Sequence, residues 1–188
     1  MNSVQTDKDL LTRIKKDPQQ FGTLYDLHYR TIFLYIFRRI GNYETARDLA
    51  AETFLKSYLN IQKFEWKETP LLAWLYRIAG NEIHMYVRKP SYKPDFISLS
   101  EDDFSWEKQL ASNYEQEHQA AEALEKADED FKLISACMLQ LDEKYQEVLA
   151  LRYFEEKSIA EIAIVTSKPE GTVKSLLARG LEKLRKLL

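Results

Sequence analysis

The chain has 188 residues, of which 45% are hydrophobic, and carries 27 Lys and Arg against 30 Asp and Glu, enough apolar content for one domain or two small ones. Its longest apolar run, 32–37, is too short to cross a bilayer, and the polar start MNSVQTDKDLLTR lacks a signal-peptide core. We therefore expect a soluble cytoplasmic protein. The lone Cys137 excludes an internal disulfide and a cysteine-based zinc site.

Hydrophobic periodicity predicts helices throughout the first ninety residues, with almost no strand pattern. Apolar side chains at Leu10, Leu11 and Ile14 mark the first helix. Residues 24–40 form an aromatic-rich second helix that should end at Gly41, because glycine is common just beyond a helix C-terminus. The N-terminal part of the chain is thus expected to be a helical domain.

A third helix is predicted over 44–60 and carries charged side chains on one side. Asp48, Glu52 and Lys56 follow one another at i,i+4 spacing. Such a series is either a ladder of surface salt bridges, worth roughly a few tenths of a kcal/mol per pair, or an acidic docking site for a basic partner. Both interpretations stay open on the sequence alone.

The loop between the third and fourth helices, 62–70, is short and polar but contains Phe64 and Trp66. Aromatic rings beside a single-strand surface can hold an unstacked base. The same rings can also serve only to anchor the loop to its own domain.

The fourth predicted helix, 71–89, has two different faces. One face is apolar, as expected for a helix that packs on a core. Because unstacked bases lie on aromatic rings while Arg neutralises phosphate, the other face fits single-stranded nucleic acid, although a lone Trp is more often a core residue. This stripe follows 3,4,3,4 spacing and consists of Trp74, Arg77, Asn81, His84 and Arg88.

Acidic residues are concentrated in one stretch of the chain. Residues 101–130 contain eleven Asp or Glu and two Lys, a net charge of −9, so the rest of the chain carries a net charge of +6. Periodicity fades between residues 90 and 115, where Pro90 and Pro94 lie close together. We predict a flexible acidic linker between two basic helical domains, which either only solubilises the chain or mimics nucleic acid in a basic channel of a partner.

The last thirty-one residues predict a helix-turn-helix. Ser158 and Glu161 form a Ser-x-x-Glu capping box, which starts a helix. The pattern breaks at 166–168, and Pro169 suits the first turn of a second helix.

The second of these helices should be amphipathic. Any surface helix turns Lys and Arg outward, but the capped helix and tight turn before it favour a DNA-reading face. The apolar arc consists of Val173, Leu176, Leu177, Leu181, Leu184, Leu187 and Leu188. The opposite side carries Thr172, Ser175, Arg179, Lys183 and Lys186.

Taken together, these residues resemble the extracytoplasmic-function sigma factors of bacterial RNA polymerase, a two-domain class of the sigma-70 family. The resemblance covers nearly the whole chain. Each motif alone is moderately specific, but the three in this order and spacing are strongly so. They are ARDLAAETFLKSY at 46–58, LLAWLYRIAGNEIHMYVRK at 71–89, and LDEKYQEVLALRYFEEKSIAEIAIVTSKPEGTVKSLLARGLEKL at 141–184.

The resemblance implies a role for each matched surface. The third helix would grip the coiled coil of the polymerase clamp through Asp48, Glu52 and Phe54. The minus-ten element would be melted and read, with one base of the non-template strand flipped out, by Phe64, Trp66, Lys67, Trp74, Arg77, Asn81 and Arg88. The minus-thirty-five element would be read in the major groove by Lys168, Thr172, Lys174, Ser175, Arg179 and Lys183. The acidic linker would thread toward the polymerase active site and RNA exit channel.

The implied function is to direct core RNA polymerase to the promoters of a stress or envelope-response regulon. The implied partners are core polymerase, promoter DNA and an anti-sigma factor, without membrane insertion. No cofactor, metal site or catalytic residue is predicted, because the histidines His28, His84 and His118 are scattered and no Gly-rich phosphate loop occurs. The protein is thus not expected to be an enzyme.

The chain departs from the family pattern at several positions. Ala51 replaces a usual Gln of the third-helix motif, and Leu176 a frequent Arg of the last helix. Gly80 and Met85 replace a frequent Arg and a frequent Asp of the fourth helix, and Gly180 lies in mid-helix, at a cost of roughly 1 kcal/mol relative to Ala.

The predicted architecture is all-α, with a region 2 domain at 1–92, the acidic linker at 93–127 and a region 4 domain at 128–188. One alternative is a helix-turn-helix regulator that binds duplex DNA by itself as a dimer, although its dimerisation helix should be apolar where the Trp74–Arg88 stripe lies. Another is a polymerase-binding adaptor without promoter melting, for which Arg179→Ala and Lys183→Ala should not affect transcription.

Overall fold

The computed structural model describes residues 3–66, 69–89 and 133–188. Every regular element within these ranges is helical, which confirms the all-α prediction. The acidic stretch at 101–130 and Lys67 lie outside the described residues.

The N-terminal domain is a bundle in which α2 packs against both α3 and α4. Its core is apolar and includes Leu24, Ile36, Leu75 and Ile83, each with 0% exposure. The helices are α1 (Ser3–Lys16), α2 (Phe21–Ile40), α3 (Tyr43–Asn60) and α4 (Leu71–Val87), with 3₁₀ turns at Pro18–Gln20 and Ile61–Lys63.

Local sequence explains how α2, α3 and α4 begin and end. Gly41 ends α2 with a left-handed φ of 74°, a conformation that costs glycine little. The Asn42 side chain then caps α3 by accepting a hydrogen bond from the Thr45 backbone N–H at 2.9 Å. Because α4 has Pro70 at its N-cap and no capping side chain there, Asp7 of α1 accepts the Leu71 N–H instead, at 2.9 Å.

The C-terminal domain contains the helix-turn-helix. Ser158 starts α7 with a complete capping box that involves Glu161, as predicted. Ser167 then turns the chain with a φ of 55°, and Pro169 is the N-cap of α8 rather than a residue of its first turn. The described elements are helical residues 133–139 (α5), α6 (Glu143–Leu149), a π-helix (Ala150–Phe154), α7 (Ile159–Thr166) and α8 (Glu170–Arg185).

The two domains pack against each other. Helix α4 lies against α7, and α2 lies against the π-helix that ends α6. This places one end of the predicted single-strand stripe on α4 next to the first helix of the helix-turn-helix.

Candidate nucleic-acid interface

An open concavity of about 410 Å³ lies where the end of α3, the following loop and α4 meet. It brings together three of the predicted minus-ten residues, Phe64, Trp74 and Arg77. A concavity with two aromatic rings and a guanidinium has the chemistry to receive an unstacked base and its phosphate. Its full lining is Asn60, Lys63, Phe64, Glu65, Thr69, Trp74 and Arg77.

The two aromatic rings of the concavity contact each other directly. The ring centroids of Phe64 and Trp74 are 4.6 Å apart, with 37° between the planes, and both side chains are half-buried. The loop is held in place because Lys15 of α1 donates a hydrogen bond to the Phe64 carbonyl at 2.7 Å. Phe64 and Trp74 therefore combine packing on their own domain with a partly accessible ring surface.

The rest of the stripe extends along α4, away from the concavity. Asn81 and Arg88 are exposed, and Arg88 Nη1 lies 3.3 Å from His84 Nε2. Arg77 faces the other domain: its Nε donates to the Val165 carbonyl at 3.3 Å, and its Nη2 donates to the Ile164 carbonyl. Arg77 thus belongs both to the concavity and to the contact between domains.

Two further predicted minus-ten residues are not in the concavity. Trp66 is half-buried and packs against the core, which matches the anchoring interpretation of that ring. Lys67 lies outside the described residues. The lining instead includes Asn60 and Lys63, which the sequence analysis missed; they follow the predicted third helix, where a basic or amide side chain gives no distinct signal.

The predicted duplex-reading face is on the outer side of α8. All but one of its residues are exposed: Thr172, Lys174, Ser175, Arg179 and Lys183. The exception, Lys168, lies in the turn and pairs with Glu147 of α6 at 3.2 Å.

The apolar arc predicted for α8 is only partly buried. Val173 and Leu177 are in the core, with exposures of 0% and 8%. Leu181, Leu187 and Leu188 are 38%, 40% and 61% exposed, so the prediction that the arc continues to the end of the chain was wrong. The described part of the domain supplies buried partners only near the start and middle of α8, mainly from α6 and α7.

A second concavity, of about 510 Å³, separates α3 from α4 and contains the predicted polymerase-binding carboxylates Asp48 and Glu52. Lys56 links the two helices, because its Nζ lies 3.3 Å from Glu52 and 2.6 Å from Glu82 of α4. The hydrogen bond to Glu82 raises the pKa of Lys56 above its usual 10.5. The series is therefore more than the surface ladder of one interpretation, since its last member also pairs with a buried carboxylate.

Phe54, the third predicted polymerase contact, is only 3% exposed. Its ring packs against Tyr25 and Tyr29 of α2, with centroid distances of 4.9 and 6.0 Å. The structure places this side chain inside the bundle, so it supports the acidic face of α3 from below instead of presenting a contact surface.

Two searches of the described residues bear on other kinds of site. Across 3–66, 69–89 and 133–188, His, Cys, Asp and Glu side chains do not gather in threes in a way that could hold a metal ion. The helices in those ranges are all too short or too polar to span a membrane.

Comparisons with known proteins agree on one family. The family model "Sigma-70 region 2" matches residues 24–91, and "Sigma-70, region 4" matches 131–184. The ECF RNA polymerase sigma factor SigW of Bacillus subtilis (strain 168) is 32% identical over 184 residues, which cover 96% of each chain. The RNA polymerase sigma factor YlaC of the same organism is 32% identical over 164 residues, covering 87% of this chain and 88% of the relative.

A solved structure shares the fold. CnrH, in complex with the cytosolic domain of CnrY, superposes with a TM-score of 0.65 over 96% of both chains at 20% sequence identity. The two-domain helical architecture is therefore found in an experimentally determined protein as well.

Proposed function

Because the chain belongs to the extracytoplasmic-function sigma factors of bacterial RNA polymerase, we propose that it divides promoter recognition between two separate surfaces. The single-strand surface is the concavity and stripe of the N-terminal domain, and the duplex surface is the outer face of α8. The observation that carries the proposal is the meeting of Phe64, Trp74 and Arg77 around one concavity.

The single-strand surface combines stacking with charge. Trp74 and Phe64 offer ring surface to an unstacked base of the minus-ten element, and Arg77, Asn81 and Arg88 follow along α4 toward the phosphates and base edges. Base stacking on an aromatic ring contributes roughly 1–3 kcal/mol. Binding energy of this size helps to hold the promoter open while the polymerase performs the chemistry, so the chain itself acts without enzymatic activity or cofactor.

The duplex surface follows the geometry of a helix-turn-helix, in which the second helix enters the major groove. The exposed Thr172, Ser175 and Arg179 lie on successive turns of α8 and can reach base edges or phosphates of the minus-thirty-five element. Lys174 and Lys183 add positive charge beside them, and Lys168 adds charge in the turn.

The remaining assignments follow from family membership. The chain divides into a region 2 domain at 1–92, an acidic linker at 93–127 and a region 4 domain at 128–188. Asp48 and Glu52 contact the polymerase clamp, and the protein works in the cytoplasm, where it initiates transcription of a stress or envelope-response regulon. An anti-sigma factor holds it inactive until the signal arrives.

The two surfaces can be tested separately with holoenzyme and two DNA probes. Trp74→Ala should weaken binding of a single-stranded non-template minus-ten oligonucleotide by about tenfold or more. Arg179→Ala should weaken binding of a minus-thirty-five duplex by a similar factor. Each variant should leave the other probe unaffected, and fluorescence anisotropy measures both.

Exposed basic residues outside the two surfaces provide the controls. Arg185→Ala removes the same charge from α8 as Arg179→Ala but from another side of the helix, and Arg30→Ala removes a charge from α2; both residues are exposed. Neither control should change either affinity by more than about twofold. Equal losses in Arg179→Ala and Arg185→Ala would show that only net charge matters, and unchanged single-strand binding by Trp74→Ala would contradict the assignment of the concavity.

A further inference from the structure

The contact between the two domains is centred on Glu155, whose side chain is only 7% exposed. Its Oε1 accepts a hydrogen bond from Arg38 Nη1 at 2.9 Å, and its Oε2 accepts one from the Tyr76 hydroxyl at 2.5 Å. The Arg38 guanidinium also lies over the Phe154 ring, 5.0 Å from its centroid. Because desolvation strongly disfavours an unpaired carboxylate, Glu155 depends on these groups of the N-terminal domain while the two domains are in contact.

Charge complementarity extends along the contact. Arg39 of α2 is 1% exposed; it donates a hydrogen bond to the Tyr35 hydroxyl at 2.8 Å and pairs with Glu143 of α6 at 3.5 Å. The other oxygen of Glu143 lies 2.8 Å from His84 Nδ1 on α4. The N-terminal domain thus supplies the basic side of the contact and the C-terminal domain the acidic side. Polar, charged contacts of this kind are typical of domain interfaces that open and close.

Arg77 connects this contact to the single-strand surface. It donates to the carbonyls of Ile164 and Val165, in the last turn of α7, where backbone carbonyls lack helical partners and carry partial negative charge. The same guanidinium lines the minus-ten concavity. While its Nε and Nη2 groups are bound to α7, they cannot donate to a DNA phosphate.

Gly80 lets the two domains approach closely. A Cβ atom at this position would lie 3.2 Å from Glu147 Oε1 of α6 and 3.8 Å from the Tyr35 hydroxyl. A longer side chain there would push the C-terminal domain away from α4. The departure from the frequent Arg of the family therefore has a structural consequence in this chain: it makes room for the contact.

We propose that the C-terminal domain covers the minus-ten surface in the free chain, so that single-stranded promoter DNA binds only after the two domains separate. The proposal rests on the proposed function, which places Arg77 in that surface. Because apparent affinity falls with the fraction of molecules in the competent state, a closed chain binds the strand more weakly than an open one by the closed-to-open ratio.

Two substitutions in the full-length chain, without polymerase, should open the contact by different means. Glu155→Ala removes the central carboxylate, and Gly80→Gln inserts a side chain while adding no charge and replacing no candidate DNA contact. Small-angle X-ray scattering should show a larger radius of gyration for both variants. Each should also bind a single-stranded non-template minus-ten oligonucleotide at least about fivefold more tightly than the wild type.

Two further variants complete the experiment. Glu44→Ala removes the same charge from an exposed ion pair with Arg47 within α3, so it should change neither the radius nor the affinity. Adding Arg77→Ala to either open variant should cancel most of the gain in affinity, since the gain depends on releasing that side chain.

The outcomes separate the proposal from the function beneath it. Open variants that expand but bind the strand no more tightly, or variants that neither expand nor bind more tightly, would overturn the proposed cover. If no variant binds the strand, including variants that scattering shows to be open, the minus-ten assignment itself is wrong and the cover falls with it.

Discussion

Phe54 and Asp48 illustrate how two neighbouring residues of one helix can serve the same surface differently. Phe54 is buried against Tyr25 and Tyr29, whereas Asp48 is exposed beside the second concavity. The aromatic ring therefore fixes the position of α3, and the carboxylate presents charge to a partner.

These two roles predict opposite effects of substitution. Phe54→Ala should lower the free energy of unfolding by about 3–5 kcal/mol, because it leaves a cavity in the bundle. Asp48→Ala should change stability by less than about 0.5 kcal/mol but weaken binding to core polymerase. Urea denaturation and a polymerase-binding titration measure the two effects, and a stable Phe54→Ala variant with impaired polymerase binding would instead restore Phe54 as a direct contact.

The capping box of α7 is a second case in which single atoms decide a local structure. The Glu161 backbone N–H donates to the Ser158 hydroxyl at 3.2 Å, and the Ser158 backbone N–H donates to Glu161 Oε2 at 2.8 Å. Burial acts to raise the pKa of Glu161, but the hydrogen bonds from Ser158 outweigh it and leave the pKa below its usual 4.5. The ionised carboxylate thus stabilises the first helix of the helix-turn-helix.

This lowered pKa predicts a pH dependence of known sign. Glu161→Ala should cost roughly 0.5–1 kcal/mol of stability at neutral pH. Because the folded-state pKa is depressed, the charged part of that contribution is present above the unfolded pKa and is lost as the pH falls through the folded value. The difference from wild type, measured by urea unfolding, should narrow below about pH 4.5, and a difference that stays constant down to pH 3 would contradict the account.

Helix α8 shows how packing of a whole element can override helix propensity. Gly180 is buried, and a Cβ atom there would lie 3.1 Å from Leu149 Cδ1 and 3.4 Å from Tyr145 Cβ, both on α6. Gly171, in the first turn of the same helix, has no such neighbour within 4 Å. The glycine that the sequence analysis regarded as a cost is therefore what lets α8 lie close to α6.

The same substitution at these two positions should have effects of opposite sign. Gly171→Ala should stabilise the domain by up to about 1 kcal/mol through helix propensity. At Gly180 the same gain is outweighed by overpacking against a rigid core, which typically costs about 1–3 kcal/mol, so Gly180→Ala should be destabilising. Thermal denaturation of the two variants measures both, and stabilisation by Gly180→Ala would show that α6 yields easily.

Elements with local determinants were predictable from the sequence. Gly41 ended α2 and the Ser158–Glu161 box started α7 as expected, because caps depend on residues three or four positions apart. The π-helix at Ala150–Phe154 and the left-handed Ser167 were not predicted. Neither residue pattern differs from that of ordinary helix or turn, and the surrounding packing selects the conformation.

The contact between domains was beyond sequence reasoning for a different reason. Arg38 and Glu155 are separated by 117 positions, and no periodicity relates residues so far apart. The Trp74–Arg88 stripe was correctly recognised as unusual, but its pattern does not reveal that Arg77 also binds α7. In the whole molecule, one face of α4 therefore meets both a candidate DNA site and the neighbouring domain.

The central claim is that this chain directs polymerase to promoters through two surfaces. Run-off transcription from a mixed genomic template, with core RNA polymerase in the presence and absence of the protein, tests it most directly. New transcript starts that share two upstream elements, and that are lost in both Trp74→Ala and Arg179→Ala, are the predicted result. Transcription unchanged by the protein, together with binding of the protein to linear duplex as a dimer without polymerase, would contradict it.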